Sequence, residues 1–171
     1  MTTDATPKDG LQLLTADHRK VEGLFADFEK ASGATAKEKL AKKICLELKV
    51  HAQIEEEIYY PAIRGKVEEA DLDEAYVEHD SAKLLINEIE AAEPDESFYD
   101  AKVKVLSELI EHHVEEEEKI RDNLFQQTRA ADIDLVALGE KLAARKAELL
   151  AQAEAEGLPP AEAATLQHEE I

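Results

Sequence analysis

Two copies of one short pattern, each a histidine followed four positions later by a glutamate, constrain the fold of this 171-residue chain more than any other feature. The first copy is His51 with Glu55, and the second is His113 with Glu117. On an α-helix, side chains four positions apart lie one above the other on the same face. Each copy therefore predicts a helix that presents one imidazole and one carboxylate to a single point, an arrangement suited to a metal ion.

Both pairs interrupt apolar stripes with helical spacing. Such stripes are the seams by which amphipathic helices pack against one another. The pairs are thus expected to face the interior of a helical assembly. The apolar neighbours are Leu40, Ile44, Leu48 and Ile58 for the first pair, and Val103, Leu106, Ile110, Ile120 and Leu124 for the second.

The first two predicted helices are delimited by capping and turn residues. Asp9 is a suitable N-cap for a helix that ends at Ser32-Gly33. Thr35 and Glu38 have the spacing of a capping box for the second helix, and Pro61 is expected to kink or end that helix.

Three more helices follow. Asp71 with Glu74 gives a capping signal for the third, which Pro94 ends. The fourth is predicted from about residue 98 to about 125 and the fifth from about 132 to 156. Short connections make neighbouring helices antiparallel, so we predict an all-α fold: an up-down-up-down four-helix bundle with an additional C-terminal helix.

This reading divides the chain into four parts. Residues 1–10 form a polar N-terminal segment and residues 11–127 the bundle, while residues 128–156 form the C-terminal helix. Residues 157–171, rich in Ala and Glu with paired prolines, are predicted to be a mobile tail.

The two halves of the bundle repeat each other. When His18 is aligned on His79 and His51 on His113, each half consists of a helix with a lone histidine followed by a helix with the His-x3-Glu pattern. The repeat predicts a pseudo-twofold bundle with a symmetric pair of sites on its axis. His113 rather than His112 is expected to face inward, because its stripe continues through apolar residues.

Charge and cysteine content exclude several other functions. The chain has 40 acidic and 20 basic residues, a formal charge of −20 that disfavours nucleic acid and membrane surfaces as partners. With one cysteine, Cys45, an internal disulfide or a thiolate metal cage is excluded. Residues 1–10 lack the pattern of a signal peptide, so a cytoplasmic location is expected.

Four imidazoles and two carboxylates in one core need compensation, since burying unpaired charges costs several kcal/mol per ion. A metal-free hydrogen-bonded network is one form of compensation, and cations are the other. The donor set suits iron, with manganese or zinc next, because thiolates and an all-oxygen shell are both absent. Two metal ions, each with two histidines, could share Glu55 and Glu117 as bridges.

On these residues, the chain resembles the hemerythrin-like, or HHE cation-binding, family over roughly Leu11 to Leu150. The resemblance implies a hemerythrin-like bundle that holds two iron ions with an oxo or hydroxo bridge. It also implies His18, His51, His79 and His113 as terminal ligands and Glu55 and Glu117 as bridges, with no catalytic residues beyond the metal ligands.

The chain departs from the oxygen-carrying hemerythrins at Lys83, where those proteins have another histidine. A more open site argues against reversible O2 carriage and favours redox chemistry on peroxide, O2 or NO. The leading expectation is catalase-like or peroxide-scavenging activity in oxidative stress. The alternatives are a sensor or binding module for iron, O2 or NO, and simple storage of O2 or iron.

Three further features are expected to modify this function. Tyr59, one turn after Glu55, could be an additional ligand or a hydrogen-bond donor to the site, although packing alone would also explain it. Glu116 could be an alternative ligand or part of a solvated face. The C-terminal helix could bind a protein partner or a second copy of the chain.

Overall fold

The computed structural model describes residues 9–166, which contain helices and no strand. The α-helices are α1 (Gly10–Lys30), α2 (Ala34–Ile54), α3 (Tyr60–Ile63), α4 (Glu69–Ala91), α5 (Tyr99–Val114), α6 (Leu124–Ala130) and α7 (Leu135–Glu156). Two π-helical turns, Glu55–Tyr59 and Glu115–Lys119, extend α2 and α5. None of the helices in this part of the chain is long and apolar enough to cross a membrane.

Helices α1, α2, α4 and α5 form the four-helix bundle that the sequence predicts. Consecutive helices pack side by side, and α1 also contacts α5 and thus closes the bundle. The additional helix α7 lies outside the bundle against α1 and α2. All-α bundle architecture with an extra C-terminal helix is therefore confirmed.

A close backbone contact fixes the position of α7. A Cβ atom added at Gly139 would lie 2.9 Å from the backbone nitrogen of Gly10, a distance that side-chain carbons do not tolerate. Glycine at position 139 thus allows α7 to approach the first residue of α1. Leu138, Leu142 and Leu149 of α7 are buried by this packing.

Two apolar clusters fill the bundle. One contains Leu14, Ile54, Tyr60 and Leu142, near α7 and the π-helical turns. The other contains Phe25, Ile44, Ile86 and Leu106, toward the opposite end of the helices. The four predicted ligand histidines belong to neither cluster.

Several helix boundaries differ from the sequence predictions. Asp9 caps α1 in a complete capping box with Gln12, as predicted. The predicted caps at Thr35 and Asp71 are wrong, because α2 begins after Gly33 and α4 after Glu68, neither with a side-chain cap. Thr35 and Asp71 lie inside the first turns of α2 and α4 rather than before them.

The fourth helix is shorter than predicted. The helical segment ends at Lys119, and Ile120 is extended and 49% exposed. A new helix, α6, begins after Asn123, whose side chain forms a capping box with Gln126. Ile120 therefore does not continue the apolar stripe, although Leu124 is buried from α6.

Residues 157–166 lie against α4. The Asp80 carboxylate accepts hydrogen bonds from the backbone N–H groups of Ala164, Thr165 and Leu166, at 2.6–2.8 Å. Asn87 exchanges two further hydrogen bonds with Ala161. These contacts run against the expectation of a mobile tail for this stretch; residues 1–8 and 167–171 lie outside the described part of the chain.

Candidate metal centre

Four buried histidines form two pairs in the middle of the bundle. The Nε2 atoms of His18 on α1 and His51 on α2 lie 3.2 Å apart, and we call these residues the first pair. The Nε2 atoms of His79 on α4 and His113 on α5 also lie 3.2 Å apart, and these residues form the second pair. The structure thus brings the four sequence-predicted imidazoles together and turns the Nε2 atom of each inward.

Each of the two predicted bridging glutamates contacts both pairs. Glu55 Oε1 lies 2.8 Å from His51 Nε2 and 3.3 Å from His79 Nε2. Glu117 Oε1 lies 2.7 Å from His113 Nε2, and its Oε2 lies 3.4 Å from His18 Nε2. Every carboxylate therefore links one imidazole of the first pair to one of the second.

The donor atoms fit a pair of cations. His18, His51 and Glu117 offer ligand atoms within 4.8 Å of one another, and so do Glu55, His79, His113 and Glu117. Among the described residues, Oε2 of Glu55 has no hydrogen-bond partner, and Oε1 of Glu55 and Oε2 of Glu117 lie beside imidazole nitrogens without forming a hydrogen bond to them. Such buried acceptors are costly unless a cation satisfies them.

Carboxylates hold the outward-facing Nδ1 atoms of three imidazoles. His51 is held by Asp17 at 3.0 Å, His113 by Glu78 at 2.9 Å, and His79 by Glu56 at 2.9 Å. Imidazoles that bind metals are commonly oriented in this way. The Nδ1 atom of His18 differs: it is buried and has no hydrogen bond to any residue that the structure describes, and Glu118 lies 3.6 Å away.

These supporting residues follow the internal repeat, which is a signal that sequence reasoning missed. An acidic residue directly precedes each lone histidine, and each one reaches the histidine of the following helix: Asp17 to His51, and Glu78 to His113. Likewise, the residue after each bridging glutamate faces the lone histidine of the other half. Glu56 does so for His79 and Glu118 for His18.

Protonation in the metal-free centre follows from these contacts. Burial opposes charge on His51, but Glu55 and Asp17 outweigh it and raise its pKa to about 10. Burial likewise opposes charge on His113, whose pKa Glu117 and Glu78 raise well above its usual value. For His18, burial dominates and lowers the pKa. Metal binding must therefore displace protons from one imidazole in each pair.

Tyr60, and not Tyr59, is the tyrosine at the centre. The Tyr60 hydroxyl donates to Glu117 Oε1 at 2.8 Å and lies 3.1 Å from His79 Nε2. Tyr59 instead pairs with Thr128 Oγ1 at 2.7 Å. The π-helical turn is the reason: the backbone N–H of Tyr60 bonds to the carbonyl of Glu55, so Tyr60 takes the position over Glu55 that an α-helix would give to Tyr59.

Glu116 lies outside the centre. It contacts His112 Nε2 at 3.2 Å, and His112 is 58% exposed whereas His113 is buried. The suggestion that Glu116 is an alternative ligand of the buried centre is therefore wrong, since its potential ligand atoms group with those of Glu74, Glu78 and His112 instead. Of the adjacent residues His112 and His113, His113 is the one that faces inward.

Lys83 occupies the position that suggested an open site. Its ammonium group contacts Glu56 Oε1 at 2.8 Å and donates to the backbone carbonyl of Glu162 at 2.9 Å. Lys83 thus supports the carboxylate that holds His79, and it also binds the C-terminal segment.

A cavity of about 420 Å³ reaches all four histidines. Its walls are mainly apolar, with Val21, Leu48, Ile86 and Val114 among them, and residues 158–162 form its roof. A small neutral molecule could approach the imidazoles through this space. We call it the apolar cavity.

Comparison with known proteins agrees with this geometry. The family description "Hemerythrin HHE cation binding domain" matches residues 9–121. A curated relative named DNA nickase, from Nostoc sp. strain PCC 7120, is 30% identical over 120 residues. That match covers 67% of this chain, and the chain spans only about a third, 34%, of the relative.

A solved structure supports the fold. It is that of a hemerythrin HHE cation binding domain-containing protein from Mycobacterium kansasii, with a TM-score of 0.72 and 23% sequence identity. The similarity covers 88% of this chain and 94% of the other. With four histidines and two glutamates clustered in one bundle, this chain belongs to the hemerythrin HHE cation-binding domain family.

Proposed function

We propose that the chain binds two iron ions, one at each histidine pair, with Glu55 and Glu117 bridging them. The observation that carries this proposal is that each glutamate contacts one imidazole of either pair. Manganese and zinc are accepted by the same donors and are the alternatives.

The proposed activity is the breakdown of a small oxidant, and hydrogen peroxide is the leading candidate. The proposed location of the protein is the cytoplasm. Bound iron would supply the exchange of electrons with the peroxide. The protein residues hold the ligand imidazoles in place through Asp17, Glu56 and Glu78, and Tyr60 holds a proton beside Glu117. The apolar cavity offers the approach for a neutral molecule of this size.

The test is metal analysis and peroxide turnover of protein expressed with ample iron. We expect two iron ions per chain, and oxygen release on addition of peroxide. Glu55→Gln should lose both the iron and the turnover, because its contacts to both pairs weaken. Glu57→Gln is the matched control, since Glu57 is exposed and pairs with Arg145. Iron-free wild-type protein would refute the metal assignment.

A sensor is the second candidate, favoured by one set of contacts. His79 Nδ1 binds Glu56, Glu56 binds Lys83, and Lys83 binds the carbonyl of Glu162 in the C-terminal segment. A change at the metal site could thus alter the order of residues 157–166. Iron binding without peroxide turnover, together with altered proteolysis of this segment, would favour the sensor.

A Lys83→Met variant separates these functions. It removes the link between Glu56 and the C-terminal segment while leaving the six predicted ligands in place. If the chain is a sensor, the response of the segment to metal should disappear in this variant although iron is still bound. If the chain is only an enzyme, the wild-type segment should not respond at all.

The name of the Nostoc relative does not lead us to propose an action on DNA. The matched region is a third of that protein, and a formal charge of −20 repels phosphates. We expect no binding of this chain to duplex DNA at physiological salt in a gel-shift experiment.

A further inference from the structure

A second, smaller cavity also touches the candidate metal centre. It has a volume of about 40 Å³ and ends inside at His113 and Glu117. It lies beside the first turns of α4 and the π-helical turn that follows α5, whereas the apolar cavity lies further along α4. We call it the acidic passage.

Carboxylates dominate the wall of the acidic passage. Asp71, Glu78, Glu116 and Asp122 line it in addition to Glu117, and no lysine or arginine of residues 9–166 belongs to its lining. Ala75, Ile120 and Leu124 complete the wall. A wall of this composition attracts cations and repels anions.

The apolar cavity has the opposite character. Three of its four carboxylates are paired with basic side chains: Asp17 with Lys146 at 2.5 Å, Glu56 with Lys83 at 2.8 Å, and Glu57 with Arg145 at 2.7 Å. Lys49 and Lys83 also belong to its wall. A divalent cation therefore finds little attraction there.

A cluster of potential ligands adjoins the acidic passage and shares Glu78 and Glu116 with its wall. Glu74, Glu78, His112 and Glu116 offer ligand atoms within 4.8 Å of one another. Glu78 belongs to both regions, because its Oε1 contacts His113 Nδ1 at 2.9 Å while its Oε2 lies 3.2 Å from His112 Nε2. The outer cluster and the buried centre thus share one connecting carboxylate.

An independent feature at the inner end points to a cation. Glu117 is 1% exposed, lines the passage, and has one oxygen, Oε2, without a hydrogen-bond partner among the described residues. A cation that passed the outer carboxylates would reach Glu117, the residue that carries this oxygen. The passage therefore leads from the outer cluster of potential ligands to the buried carboxylate of Glu117.

We propose that the acidic passage is the route by which divalent metal ions reach the buried centre, with Glu74, Glu78, His112 and Glu116 as a first, transient binding site. This inference rests on the proposed metal binding and adds the path to it. Cations and neutral ligands then use separate routes, the passage and the apolar cavity. Delivery of metal does not require the C-terminal segment to move.

The experiment measures how fast metal-free protein takes up Fe²⁺ without oxygen, by stopped-flow mixing, together with the final metal content. In the double variant Glu74→Gln/Glu116→Gln, uptake should slow about tenfold, within the range by which charged clefts raise association rates. The final content should remain that of the wild type. The difference should shrink at 1 M salt, where surface charges are screened.

A control and a second variant make the result specific. Glu140→Gln/Glu154→Gln removes the same charge from exposed positions of α7 and should leave the rate unchanged. Ile120→Trp keeps every carboxylate but places bulk at the half-exposed wall residue of the passage, so it should also slow uptake.

The outcomes separate the two proposals. Normal uptake by both passage variants, or equal slowing by the α7 control, would overturn the route while leaving the metal site intact. A wild-type protein that takes up no metal at all would instead refute the metal site on which the route depends.

Discussion

The first and second histidine pairs have the same ligand types but different support. In the second pair, both Nδ1 atoms are held by carboxylates, and the Tyr60 hydroxyl lies within 3.5 Å of both Nε2 atoms. In the first pair, only His51 is held, by Asp17. The repeat in the sequence therefore produces two similar but unequal sites.

The difference has an identifiable cause at the symmetry-related residues Glu56 and Glu118. Lys83 contacts Glu56 while leaving its other oxygen on His79. Arg19, which follows His18 in the chain, contacts Glu118, and His18 Nδ1 donates no hydrogen bond to Glu118. His18 is instead stacked on Phe125, with ring centres 5.9 Å apart. The first site should thus bind its metal more weakly than the second.

The largest loss of metal should follow from removal of a carboxylate that contacts both histidine pairs. Glu117→Gln weakens the contacts to His18 and His113 together, so we expect less than half an ion per chain by elemental analysis. Glu115→Gln, two positions away and exposed, is the control and should keep two. A Glu117→Gln protein with one firmly bound ion would show that the sites are independent rather than bridged.

Removal of one imidazole should affect mainly its own site. His51→Ala and His113→Ala should each lower metal content to about one ion per chain and lower the melting temperature, because metal binding stabilises the folded state. A loss of about 2 kcal/mol of stability corresponds to a decrease of roughly 4–8 °C for a chain of this length. The His112→Ala control should melt like the wild type, and metal loss in that variant alone would contradict the buried position of His113.

The unequal support can be tested directly with the two symmetry-related glutamates. Glu56→Gln should weaken metal binding at the second site by about 10–100-fold, as is typical when an orienting partner of a ligand histidine is removed. Glu118→Gln should change binding at the first site by less than about threefold, since it makes no hydrogen bond to His18. Competition titrations with a chelator measure both constants, and equal losses would show that the two sites are supported alike.

The smallest effect on metal content is expected from the hydroxyl groups of two adjacent tyrosines, since neither is among the six predicted ligands. Tyr60→Phe removes a hydrogen bond to a buried carboxylate, worth about 1.5–3 kcal/mol, and should also alter the optical spectrum of the iron-loaded protein. Tyr59→Phe removes a bond to Thr128 and should cost only about 0.5–1.5 kcal/mol without a spectral change. Chemical denaturation and absorption spectra of both variants provide the comparison. Identical spectra for Tyr60→Phe and wild type would place Tyr60 outside the influence of the metal.

The bundle and the clustering of the six predicted ligands were accessible from the sequence because they depend on helical periodicity and on an internal repeat. The position of Tyr60 at the centre could not be predicted, since a π-helical turn changes the spacing and the residues Glu55–Tyr59 contain no sequence signal for such a turn. The supporting carboxylates occupy equivalent positions in the two halves of the repeat. Sequence reasoning did not single them out, because the chain contains many other acidic residues. The path of residues 157–166 depends on backbone hydrogen bonds to Asp80, which composition does not encode.

The two π-helical turns have a further consequence for how this chain can vary. Each turn accommodates one residue more than an α-helical turn, so deletion of a single residue within Glu55–Tyr59 would restore ordinary helical hydrogen bonding. The shortened helix would be more regular, and Tyr60 would keep its place over Glu55, because an α-helix puts the fourth residue after Glu55 where the π-helical turn puts the fifth. A single deletion among residues 56–59 should therefore be tolerated by the fold, and it should disturb the metal centre mainly where it removes or redirects Glu56, which holds His79.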